Sequence, residues 1–86
     1  MTFWFEFEIG DPMNLPPGIA IGCGVTAHDY NDAIRMLDQK VFKDKSRPQF
    51  KRVVENVELE KLDQRHVIPN MKSIVMYGIW FPLGYD

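Results

Sequence analysis

The stretch from Gly18 to Phe42 limits the available folds most sharply. Ile19-Ala-Ile-Gly-Cys-Gly-Val25 reads as an apolar strand carrying two glycines, and the segment from Tyr30 onward reads as an amphipathic helix. Tyr30, Ala33, Ile34, Leu37 and Val41 fall within a stripe about 100° wide, which suits a helix lying on a sheet. Arg35, Met36, Gln39, Lys40 and Lys43 are expected to face away. Asp29 is the expected N-cap, since Asp32 then stands at N3 and both carboxylates meet the positive end of the helix dipole. Thr26 with Asp29 offers a competing start one turn earlier.

Upstream, Thr2 to Ile9 alternates strictly, with Phe3, Phe5, Phe7 and Ile9 on one side and Trp4, Glu6 and Glu8 on the other. That is the pattern of a half-buried strand. Gly10 to Gly18 holds three prolines and makes a loop. Closing the two strands around it as an antiparallel pair sets Ile9 against Ile19, Phe7 against Ile21, Phe5 against Cys23 and Phe3 against Val25. Trp4 then lies across from Gly24, and an indole over a strand glycine covers backbone that would otherwise be bare.

Downstream, Pro48 stops the helix before Arg47. Phe50 to Val57 is a third strand, Asp63 to Ile68 a single capped turn closed by Pro69-Asn70, and Ser73 to Phe81 a last strand that is apolar on both faces. The order is β-β-α-β-β. The first and last strands, being the most aromatic, are expected at the sheet centre. The expected fold is therefore α+β, a single-layer, mainly antiparallel four-stranded sheet with one helix packed on the Phe3/Phe5/Phe7 face, forming one domain over residues 1–86.

With 86 residues the chain can bury only roughly 60 to 65% of its unfolded surface, so each large apolar side chain counts. The 45% hydrophobic content lies well away from the disordered class. A formal charge of −2 argues against a strongly basic nucleic-acid binder while leaving room for a local basic patch. A lone cysteine makes no intramolecular disulfide, and Met-Thr-Phe-Trp-Phe-Glu-Phe-Glu lacks a basic start and a long apolar run. A cytoplasmic protein without membrane insertion is expected.

Catalytic and metal-binding constellations are not legible. Cys23, His28, His66, Asp29 and Asp63 stand at no recognised ligand spacing, and Cys23 is expected to point into the core. Gly22-Cys-Gly24 before a helix invites comparison with phosphate-binding loops, but position 27 is alanine and Asp29 and Asp32 place negative charge where a phosphate would sit. No cofactor is expected. Two charge runs do stand out. Lys40, Lys43, Lys45, Arg47, Lys51 and Arg52 interleave with Phe42 and Phe50, a pattern that can contact phosphates. Glu55, Glu58, Glu60 and Asp63 follow within nine residues holding one base, Lys61, and can imitate a polyanion to a basic protein. Trp4 and Tyr77 are the expected apolar anchors, left in water on the sheet face that the helix does not cover.

The blocks Ile21-Gly-Cys-Gly-Val-Thr-Ala27, Asp32-Ala-Ile-Arg-Met-Leu37, His66-Val-Ile-Pro-Asn-Met71 and Gly78-Ile-Trp-Phe-Pro82 resemble a group of small, stand-alone, uncharacterised bacterial proteins. In size, mild acidity and α+β type the chain is similar to immunity proteins of bacterial toxin–immunity pairs. That likeness implies a non-catalytic inhibitor whose partner is a cognate toxin domain, a nuclease in many such systems. The acids Glu55, Glu58, Glu60 and Asp63 would face cationic toxin residues, with Trp4 or Tyr77 as anchors. The alternative is a nucleic-acid-binding accessory domain using the 40–52 basic segment. A third reading is a small enzyme using Cys23 or His28. Homo-oligomerisation is not legible.

Overall fold

The computed structural model describes residues 1–10 and 15–85. The part of the Gly10–Gly18 loop at positions 11–14 lies outside the described residues. Four strands, β1 (Thr2–Phe7), β2 (Cys23–Thr26), β3 (Phe50–Glu55) and β4 (Gly78–Phe81), form one antiparallel sheet in the order β3-β1-β2-β4. A helix, α1 (Tyr30–Met36), continues into a π turn over Leu37–Val41. The fold is thus α+β, as the sequence predicts.

The register of β1 on β2 follows from the aromatic alternation: Phe3 pairs with Val25, Trp4 with Gly24 and Phe5 with Cys23. The pairing stops there. Ile19 is buried in a turn and Ile21 is exposed, so β2 starts four residues later than predicted. β3 is also shorter than predicted, ending at Glu55. A register shift at Glu6/Phe7 leaves Lys51 as an extra residue on β3, and this bulge with Lys51 and Arg52 blunts the sheet's outer edge.

β4 corrects the expected strand order, because it lies at the sheet edge. Its aromatic content does not come from having a neighbour on each side. A register shift between Gly24 and Val25 pairs Gly24 with Phe81 and Val25 with Ile79, leaving Trp80 as the extra residue. Consecutive residues then fail to alternate: Ile79 joins the helix-side core, while Trp80 and Phe81 both join the opposite one.

The helix-side core unites Phe3, Phe5, Phe7, Cys23, Val25 and Ile79 with Ala33, Met36, Leu37 and Val41 from the helical segment. Asp29 caps α1 as predicted, accepting a hydrogen bond from the Asp32 backbone N–H at 2.8 Å. Met36, expected to face water, is 1% exposed, whereas Tyr30 is 40% exposed. The π turn, in which the Phe42 N–H donates to the Leu37 carbonyl at 3.0 Å, accounts for this. Its wider winding carries Val41 back toward the Met36 side, so the buried stripe rolls by about one position.

The other face is covered as well. Val57, Leu62 and Val67, with Ile68, Met71 and Ile74 at their margin, lie over Trp4, Trp80 and Phe81. This 57–74 strap contains two single 3-10 turns, Leu59–Lys61 and Ile68–Asn70, and between them the predicted turn capped by Asp63, whose carboxylate accepts from the Arg65 and His66 backbone N–H groups and whose carbonyl accepts from Val67 and Ile68. It is tied down where the Asn56 N–H meets the Thr2 carbonyl, the Lys72 N–H the Trp80 carbonyl, and the Thr26 hydroxyl the Ile74 carbonyl. The expectation of one bare sheet face is therefore corrected: the sheet is sandwiched between a helix and an irregular strap.

Glycines make the second core possible. A Cβ on Gly24 would lie 2.3 Å from the Trp80 ring, and one on Gly22 2.4 Å from the Trp4 ring. Gly22 also has a φ of +146°, which side-chain-bearing residues rarely adopt. The two indoles stack with centroids 6.1 Å apart, and Phe81 adds a third ring 5.7 Å from Trp4.

Candidate functional site

Burial sorts the residues that the sequence singles out. Trp4 is 3% exposed, and its indole N–H donates to the Glu6 carboxylate at 2.9 Å. Its expected role as a surface anchor is corrected, because the strap and the neighbouring rings already cover it. Tyr77, in contrast, is 51% exposed. Glu55, Glu58, Glu60 and Asp63 are all exposed on or beside the strap's first half. Two of them have side-chain partners: Lys61 lies 3.7 Å from Glu58, and His66 Nδ1 lies 3.0 Å from Asp63.

The sequence reading missed Val75 and Met76, which are 84% and 64% exposed. It placed them inside the last strand. β4 begins only at Gly78, whose φ of +127° breaks the extended run, and residues 74–77 form a turn instead. Serine at 73 and glycine at 78, bracketing the stretch, were the available signal.

This turn is held firmly. The Val75 N–H donates to Ser73 Oγ at 3.3 Å, and the Tyr77 hydroxyl donates to Asp32 Oδ2 at 2.7 Å. Arg35 donates to the Tyr77 oxygen at 3.2 Å and pairs with Asp32, while the His28 ring lies 4.9 Å from the Tyr77 ring. Asp32 thus gathers the start of α1 and the turn before β4 around one carboxylate. The result is an apolar projection, Val75-Met76-Tyr77, on a fixed base.

The donors around Asp32 set its acidity. The His28 backbone N–H, then the Tyr77 hydroxyl and Arg35, hold its carboxyl far below the usual range, and Asp32 in turn raises the Tyr77 phenol. Asp63 is lowered to about 2 by the His66 ring and by the Arg65 and His66 backbone N–H groups. Both depressed carboxyls contribute stability that is fully present above the unfolded value near 4 and lost as pH falls toward the folded values. Denaturant midpoints are expected to drop between about pH 4.5 and 2.5, less steeply in Asp32→Asn and Asp63→Asn proteins. An identical slope in both variants would contradict these assignments.

Cys23 is fully buried, and burial pushes its thiol far up, which leaves it protonated and unreactive. Among the described residues there is no group of three His, Cys, Asp or Glu side chains placed to hold a metal ion. Likewise, no described helix is long and apolar enough to cross a membrane.

The basic segment divides in two. Arg47 is engaged with Asp38 at 2.6 Å and lies over the Phe50 ring at 4.7 Å, and Arg52 reaches Glu6 at 3.3 Å. Lys40, Lys43, Lys45 and Lys51 are exposed, with no ion pair among the described residues. Of the interleaved rings, Phe42 is 5% exposed and Phe50 is covered by Arg47, so neither offers a free face for a base. Comparison of the chain with protein-family models, with curated proteins and with solved structures gave no match.

Proposed function

We propose that the chain is a non-catalytic binding protein, an immunity-type inhibitor that acts in the cytoplasm by docking over the active site of a bacterial toxin. The observation that carries this reading is the Val75-Met76-Tyr77 projection: three consecutive large side chains, each at least half exposed, on a base fixed through Asp32. Exposed apolar residues on a rigid support are what an interface anchor requires, since little ordering entropy is lost on docking. Glu55 ends β3 at the same end of the sheet as Gly78 and is the acid placed to supply a polar rim, whereas Asp63 lies with Glu6 and Arg52 toward the other end. A rim acid of this kind steers a cationic partner more than it holds it.

The partner to test is the product of the neighbouring gene. Co-expression is expected to yield a complex, and Tyr77→Ala or Met76→Asp to weaken it by about 2 kcal/mol, roughly thirtyfold. Glu55→Lys is expected to slow association chiefly at low salt. A lone protein that leaves the neighbouring product's activity unchanged would overturn the reading. The second reading, nucleic-acid binding, is supported by the unpaired Lys40, Lys43, Lys45 and Lys51. Retardation of RNA or DNA that falls steeply with salt would favour it.

A further inference from the structure

A cleft of about 470 Å³ opens beside the loop that follows the π turn, and its lining includes none of the Val75–Tyr77 projection. Its apolar wall is formed by Pro17 and the ring of Tyr85, with Val41 and Phe42 buried beneath, and Ser46 adds a polar side chain. The Tyr85 hydroxyl donates to the Pro17 carbonyl at 2.8 Å, which joins the two parts of this wall. Lys43 and Lys45 stand in the lining and have no carboxylate partner among the described residues. Asp44, between them in sequence, lines a neighbouring depression with Asp38, Arg47 and Lys45, which borders both hollows, and is absent from the lining of this cleft. The charged groups of the lining are therefore cationic.

The backbone here is shaped against its own preference. Lys43 and Asp44 both adopt left-handed conformations, with φ of 52° and 65°, fixed by the Asp44 N–H to the Asp38 carbonyl and the Lys45 N–H to the Phe42 carbonyl. Such strain persists only where the surrounding structure over-determines it. An apolar hollow of this size with a few convergent charges matches the usual make-up of a small-molecule site.

We propose that this cleft binds a small amphiphilic anion, one carboxylate or phosphate group on a flat apolar body, with the body against Pro17 and the Tyr85 ring and the anion between Lys43 and Lys45. The site is separate from the protein-docking projection, so either can fail alone.

Amide chemical-shift titration of the full chain tests it, with 2-naphthoate as probe, its neutral alcohol analogue and inorganic phosphate as partial probes, and a short RNA as polymeric phosphate. Saturable shifts confined to residues 41–46 and Tyr85 are expected with 2-naphthoate. Binding should weaken roughly tenfold or more in Lys43→Ala/Lys45→Ala, and to a similar degree when either half of the probe is missing. Both lysines are exposed, so the double variant keeps its fold. Any of three results would overturn the proposal: no saturable shift at millimolar probe, shifts centred on Val75–Tyr77, or undiminished affinity in the double variant. RNA that displaces the naphthoate and depends on the same lysines would also overturn it, in favour of a polyanion groove.

Discussion

Replacing Trp80 by alanine is expected to lower stability by about 3 to 5 kcal/mol, the cost of deleting a large buried aromatic. For a domain of this size that is most of the folding margin, and it corresponds to a fall in melting temperature of roughly 15 °C or more. The physical reason is position. Trp80 is 1% exposed, lies on Gly24, stacks on Trp4 and is roofed by the strap. The strap has no ladder of its own against the sheet, so the rings beneath it provide much of what holds it. Its indole N–H is buried without a partner among the described residues, so Trp80→Phe should cost less than the alanine change, part of the lost area being offset by removal of an unmet donor. Urea titration of the three proteins checks both statements. A loss under about 1 kcal/mol for the alanine variant would mean that the second core is not formed as described.

Gly24→Ala is expected to cost roughly 3 kcal/mol although it adds only a methyl group to a strand. The new Cβ would meet three atoms of the Trp80 ring at 2.3 to 2.5 Å, and that ring cannot swing away as a flexible side chain would, because Trp4 and the strap confine it. Ordinarily alanine in place of a strand glycine is stabilising by about half a kcal/mol or more, so the sign of the effect is itself informative. Chemical denaturation measures it, and a neutral or stabilising result would place the indole elsewhere.

Much of the fold was legible because it rests on local periodicity. The alternation of Phe3, Phe5 and Phe7 gave the strand, closing the first two strands around the Gly10–Gly18 loop gave the register, and Asp29 with Asp32 gave the helix start. What stayed hidden were departures from regular periods. A single extra residue at Trp80 turns two adjacent rings to one face, which period-2 reading takes for a strand buried on both sides. The π turn likewise shifts Met36 inward with no compositional signature. The strap is irregular, and its Val57, Leu62 and Val67 are spaced five apart, a period belonging to neither helix nor strand.

The exposure of the candidate surface residues was legible only in part. Tyr77 was identified as an anchor and is exposed, whereas Trp4, chosen on the assumption of a bare face, is part of the second core. Val75 and Met76 escaped notice because the strand was extended through them. Among the bases, charge counting treated six residues alike, but Arg47 and Arg52 are engaged by Asp38 and Glu6 while Lys43 and Lys45, beside the cleft, have no ion-pair partner among the described residues.

Both proposals share one premise: the sheet face away from the helix is closed by the chain itself, with the Trp80 ring resting on Gly24, so that the proposed docking is assigned to the projection and the proposed ligand to the cleft. A double-mutant cycle between Gly24→Ala and Trp80→Leu reads that contact directly. With the ring gone, the penalty of the alanine should largely vanish, giving a coupling energy of about 2 kcal/mol or more. Additivity within about 0.5 kcal/mol would show that the two residues do not touch and that the second face is open.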